Sequence, residues 1–271
     1  MIRRLLLSMF LSLASVTSAP AEPVDDALAV YRSGDYDTAM RMFLRLAADD
    51  DDVAQYNIGV MYARGHGVEQ NNLEALRWFL MAAERGNATA QFSVGAAYAT
   101  GLGVPVDDAE AVKWYRRAAE QGDPGAQNSL GMMYNRKRGV PQDFAAALEW
   151  FRKAADQGFA PAQSNLGYMY DKGRGVPQDS TNAFLWYEMA AEQGYAEAQS
   201  NLAELFDSGR GVARDRVQAY KWYDIVSRNP AVGAEGRTIA AKRRDIVAAK
   251  MKPAQIVQAK TAAQAWQPRN R

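Results

Sequence analysis

The chain has 271 residues, 48% of them hydrophobic, with 32 basic and 31 acidic side chains and a formal net charge of +1. Its lack of cysteine and its single histidine exclude disulfides, thiol nucleophiles, a lipidated N-terminal cysteine and most zinc sites. The charge is unevenly spread: 29 acidic against 21 basic groups in residues 22–232, and nine basic against two acidic in residues 233–271.

Residues 1–21 stand apart from the rest. Arg3 and Arg4 precede an apolar run from Leu5 to Val16, and small residues end in Ala19-Pro20-Ala21. A basic start, a short apolar stretch and an A-x-A site predict a secretory signal peptide cut after Ala21. The run is too short for a bilayer that needs about 20 helical residues. The expected destination is the periplasm of a Gram-negative bacterium, with the medium as the alternative. The mature chain is expected to carry no stable membrane anchor.

Residues 22–53 predict a helix pair, with Tyr31-Arg32-Ser33-Gly34-Asp35-Tyr36 between two helical stretches and Asp49 to Asp52 as an acidic connection. From Ala54 onward a 36-residue beat takes over. Trp78, Trp114, Trp150, Trp186 and Trp222 keep it, as do the Ala-Gln pairs beginning at Ala54, Ala90, Ala126, Ala162 and Ala198. Five units follow: 54–89, 90–125, 126–161, 162–197 and 198–233. In the second, Ala90 to Thr100 predicts one helix and Gly101-Leu102-Gly103-Val104-Pro105 a loop. Asp107 or Asp108 predicts an N-cap, and a second helix runs to Gln121 before a left-handed Gly122. Ala111, Trp114 and Ala118 share one helical face, which predicts close helix approach with the indole filling the remaining volume between layers. Gly59, Gly95, Gly131 and Gly167 sit mid-helix, where glycine costs about 1 kcal/mol against alanine, so close contact is expected to compensate. Ala203 takes that place in the fifth unit. Beyond Pro230, residues 234–251 predict a helix, and Pro253 opens a last one ending near Trp266. Residues 234–271 are expected to cap the array, as the ends of a repeat stack require.

The unit Ala-Gln-x-x-Leu-Gly-x-x-Tyr … Gly-x-Gly-Val-Pro-x-Asp … Ala-x-x-Trp-Tyr-x-x-Ala-Ala-x-x-Gly resembles the Sel-1-like repeat, a relative of the tetratricopeptide repeat, over residues 54–233. The resemblance implies an all-α fold, a right-handed α/α superhelix (solenoid) of helix-turn-helix repeats. It also implies a protein-interaction scaffold or adaptor, in envelope complex assembly or envelope signalling, whose partner is another protein or peptide. Lys137 departs from the pattern at the first loop glycine of the third unit, so a different turn is expected there.

Signs of chemistry are sparse. His66 aligns with Leu102, Arg138, Arg174 and Arg210, which reads as a solvent-facing loop tip. The G-x-G-V elements follow helices and recur five times, unlike a phosphate loop. No cofactor, metal site, catalytic group or nucleic-acid partner is expected. Alternatives are a hydrolase or β-lactamase-like binder of cell-wall precursors, or a carbohydrate-binding envelope component. The positions free to vary lie on one face of each first helix. They read Tyr56/Val60/Ala63, Phe92/Ala96/Ala99, Asn128/Met132/Asn135, Ser164/Tyr168/Asp171 and Ser200/Glu204/Asp207. This stripe is the expected binding groove, with Tyr56, Phe92, Met132 and Tyr168 as anchors, although Tyr56 and Phe92 are equally suited to the core. Charge reversal at Asp171 and Asp207 is expected to weaken a basic partner without lowering thermal stability.

Overall fold

A computed structural model describes residues 23–269; the expected signal peptide lies outside the described residues. These residues form fourteen helices and no strand. The first pair is α1 (Pro23–Arg32) and α2 (Tyr36–Ala48). Five pairs follow: α3 (Asp52–Arg64) with α4 (Asn72–Glu84), α5 (Ala88–Thr100) with α6 (Asp108–Glu120), α7 (Pro124–Arg136) with α8 (Phe144–Asp156), α9 (Ala160–Lys172) with α10 (Ser180–Glu192), and α11 (Ala196–Ser208) with α12 (Arg216–Arg228). Helices α13 (Ala234–Ala248) and α14 (Pro253–Ala265) both pack on α12. Apart from α14, each helix packs chiefly on its neighbour in sequence, which makes the fold a solenoid.

Caps explain where the helices begin and end. Asn71, Asp107, Asp143, Asp179 and Asp215 cap the second helix of each pair by accepting backbone N–H bonds. Asp51, Asn87 and Asp123 cap first helices, which therefore start two residues before the Ala-Gln pairs. Every first helix ends in a left-handed residue: Gly65, Gly101, Lys137, Gly173 and Gly209. The third turn is thus the same as the others, contrary to expectation, because Lys137 itself adopts φ 56° and ψ 43°.

Three recurrent contacts bind the layers. First, a Cβ at Gly59, Gly95, Gly131 or Gly167 would stand 2.6–2.8 Å from the ring of Phe79, Tyr115, Phe151 or Tyr187. The mid-helix glycine is the seat for the aromatic that follows each tryptophan. Second, the Gln of each Ala-Gln pair is buried, and in four of the five its amide donates to a carbonyl eight residues back in the preceding layer: Gln91 to Ala83, Gln127 to Ala119, Gln163 to Ala155 and Gln199 to Ala191. In three of them Oε1 also accepts, at 2.7–2.8 Å, from the glutamine that ends the second helix of the same pair: from Gln121 to Gln91, Gln157 to Gln127 and Gln193 to Gln163. Third, each indole packs on the core of the preceding layer, for example Trp150 on the cluster that holds Ala111, Tyr115 and Ala118 of α6. Trp114 and Trp222 are buried, but Trp78, Trp150 and Trp186 stay partly exposed. Phe151 and Tyr187, each beside a partly exposed tryptophan, are fully buried, as is Phe43 of α2.

The N-terminal pair closes on the first turn of the array. The Tyr31 hydroxyl bonds His66 Nδ1 at 2.9 Å, and Tyr36 stacks on the same imidazole with centroids 4.4 Å apart. At the other end, Trp266 meets Trp222 edge-on at 5.5 Å.

Candidate interaction surface

Because the first helices share one orientation and one spacing, the stripe positions recur layer by layer, but the layers use them differently. At the N-terminal end Tyr56 and Phe92 are half-buried and lean on the core, with ring centroids 5.5 Å from Phe79 and 5.8 Å from Tyr115. Val60, Ala63, Ala96 and Ala99 are also partly exposed. A small apolar pocket of about 170 Å³ opens beside them, lined by Ala63, Phe79, Phe92, Ala96 and Leu102.

The middle of the stripe is spent on structure. Asn128 is buried and accepts from Asn165 Nδ2 at 2.8 Å, joining two layers. Ser164 is buried, and Asn135 keeps its side-chain oxygen buried without a partner. Met132 packs on the Phe151–Leu166 cluster, and the Arg174 guanidinium lies 5.1 Å over the Tyr168 ring. Asp171 is 4% exposed and holds Arg210 and Lys172, each at 2.6 Å. It is therefore not a free surface charge, and reversing it would bury an unpaired cation. The expectation of a stability-neutral change at Asp171 is corrected on that ground.

The C-terminal acids are also paired. Glu204 meets Arg210 at 3.0 Å and Arg243 at 3.6 Å, and Asp207 lies 3.8 Å from both Arg216 and Lys250. The stripe's acidic end is thus balanced by cations from the loop and from the capping helices. Here a cavity of about 390 Å³ opens between α11, α12 and α13. Ser200 and Glu204 line one wall, Tyr223 and Val226 the floor, and Ile239 and Arg243 the far wall. Burial pushes the Tyr223 phenol up, with Arg243 opposing, so the floor is uncharged at neutral pH.

Two features escaped the sequence. The loop position of His66 is an inter-layer clasp, not a free tip. Arg138 reaches back to Asp108 and the Ala99 carbonyl, and Arg210 to Asp171. Arg138 and Ala99, like Arg210 and Asp171, stand 39 residues apart, whereas Asp108 lies 30 before Arg138. Ile239 and Arg243 belong to the cap, outside the repeats, and no periodicity ties them to the stripe. Among the described residues, no three His, Cys, Asp or Glu side chains cluster in a way that would hold a metal ion.

Stacked helix pairs, a variable face and apolar hollows define the class: an α-solenoid built from short helical repeats. The family model of the Sel1 repeat matches residues 52–87, 88–123, 124–159, 160–195 and 196–225, in register with the observed helix starts. The chain belongs to the Sel1 repeat family. Among solved structures it is similar to c5321, a protective antigen present in uropathogenic Escherichia coli strains and displaying an SLR fold. The match has 35% identity, covers 90% of this chain and 52% of that one, and has a TM-score of 0.83. It is also similar to a Sel1 repeat protein from Oxalobacter formigenes, at 32% identity over 93% of this chain and 99% of that one, with a TM-score of 0.75. The chain spans about half the length of the E. coli antigen. No curated protein matches it at a significant level. Sel1 repeats are generally a non-catalytic fold and commonly a scaffold for protein–protein interaction.

Proposed function

We propose that this protein is an exported, periplasmic scaffold that holds an extended segment of another protein along its first-helix face, in the assembly or regulation of envelope complexes. The observation that carries this reading is the pocket of about 390 Å³ among Ser200, Glu204, Tyr223, Val226, Ile239 and Arg243. It has an apolar floor and a charged rim, the layout of an anchor pocket in a protein interface. The smaller hollow beside Phe92 offers a second apolar seat on the same face. The stacked layers hold both hollows in place before any partner arrives, so little ordering entropy opposes binding. Export rests on the Arg3-Arg4, Leu5–Val16 and Ala19-Pro20-Ala21 pattern.

Ile239 is 50% exposed, so Ile239→Asp places a charge in the pocket without disturbing the core. The mature chain should capture a partner from periplasmic extract, and Ile239→Asp should lose it at an unchanged melting temperature. Equal capture by the variant would refute the pocket assignment. Fractionation of cells expressing the full chain should place it with periplasmic markers, and cytoplasmic retention would refute the export reading.

A further inference from the structure

The chain's own C-terminal tail shows what a second surface accepts. Residues 266–269 leave α14 and lie against the C-terminal end of α10 and the middle of α12. Trp266 sets its ring edge-on to Trp222, with centroids 5.5 Å apart. Pro268 rests over Gly194, 3.6 Å from where a Cβ there would stand. Arg269 donates its backbone N–H to the Glu192 carbonyl at 2.8 Å, and its Nε stands 2.9 Å from Glu192 Oε2. Aromatic, proline and arginine are thus read in turn by a tryptophan, a bare glycine and a carboxylate at a helix C-terminus, where backbone carbonyls lack helical partners.

The 36-residue repeat builds the same readers one layer earlier: Trp186, Gly158 and Asp156. There they surround an open groove of about 440 Å³, also walled by Met189 and Gln193. Nothing stands within 4 Å of where a Gly158 Cβ would be, and Asp156 is exposed. Met189 and Gln193 also border a small cavity beneath Arg269, so the open groove adjoins the tail's seat. The two layers before this one differ. Three residues after their tryptophans stand Arg117 and Lys153, whose charges lie over the rings of Trp114 and Trp150 at 4.5 and 4.2 Å, whereas the cations near the later two rings come from other positions, Arg152 at 5.8 Å from Trp186 and Lys221 at 4.2 Å from Trp222. After Trp186 and Trp222 that position holds the apolar Met189 and Ile225.

We propose that the groove of Trp186, Met189, Gly158 and Asp156 binds an extended segment of a partner protein that carries an aromatic residue followed at the second and third positions by proline and arginine. This surface shares no residue with the two hollows on the first-helix face, and the inference stands or falls independently of that reading.

The probe is a fluorescent peptide of residues 260–269 titrated against the full chain. The tethered tail holds its own seat at an effective concentration in the millimolar range, so micromolar peptide reports on the open groove. Saturable one-to-one binding is expected. Asp156→Lys should weaken it about tenfold by turning an attraction into a repulsion, with melting unchanged. A peptide with Glu in place of its arginine should bind wild type poorly and recover on Asp156→Lys. The proposal is overturned by no saturation up to about 1 mM peptide, a range in which even weak contacts register. Indifference to Asp156→Lys overturns it equally. So does dimerisation of the chain that Trp266→Ala abolishes, because the occupant would then be a second copy's tail.

Discussion

Lys137 holds a left-handed conformation that glycine holds in the other four turns, and its side chain is exposed. A side chain costs about 1–2 kcal/mol there. Lys137→Gly should therefore raise the free energy of unfolding by about 1 kcal/mol, seen as a higher urea midpoint with the same slope; no gain would mean that Lys137 makes a compensating contact. The N-cap carboxylates give a second residue-scale test. The Asn182 and Thr181 N–H groups hold the Asp179 carboxyl below its ordinary value. A lowered folded pKa means stability that is present above the unfolded value of about 3.8–3.9 and lost as pH falls through the folded one. Asp179→Asn keeps the acceptor, as Asn71 does at the same place three units earlier in the array. It should leave stability at neutral pH nearly intact and flatten the acid limb of the melting-temperature profile. An unchanged acid limb would argue that other carboxylates govern it.

At the scale of the element, the amide ladder separates two glutamines that look alike in sequence. Gln127 donates to Ala119 and accepts from Gln157, whereas Gln55 is fully buried with both side-chain polar atoms unpartnered. Its Oε1 lacks a donor because position 85, where the ladder has glutamine, holds Arg85, which pairs with Asp50 instead. Gln55→Met should stabilise the protein by about 1–2 kcal/mol, since an orphaned buried amide carries a desolvation penalty, and Gln127→Met should destabilise it by a similar amount. Opposite signs in chemical denaturation are the check, and equal signs would refute the ladder. Glycine seats make a related case. Gly167→Ala drives a methyl into the Tyr187 ring and should cost about 1–3 kcal/mol. These elements show what periodicity reveals. The spacing of alanine, glycine and tryptophan gave helix pairs and close approach, because those residues act through shape on one face. It did not show that Phe151 and Tyr187 sit deeper than Trp150 and Trp186. Nor did it show the partners of Gln, Asp171 and Arg210, because a hydrogen bond across layers depends on side-chain reach rather than on helical phase. The stripe was legible as a face; which of its members remain available was not.

For the molecule as a whole, stacking makes stability a sum over neighbouring layers, and the ends carry separate obligations. The N-terminal closure uses α1, α2 and the Tyr31–His66 contact, and the C-terminal closure uses α13, α14 and Trp266 over Trp222. The cap also completes the pocket of about 390 Å³ through Ile239 and Arg243, so stability and recognition share one element. Trp266→Ala removes an edge-on contact from a ring that is itself only 2% exposed. In a globule with one core, such a loss lowers protection everywhere. In a linear stack it is felt locally, because opening the last layer leaves the others paired. Hydrogen exchange on this variant should therefore rise in α12 and α14, weaken in effect through α10, and remain at wild-type rates in α5 to α8. A uniform increase along the chain would show that the layers unfold as one cooperative unit, and the additive picture of the array would fail.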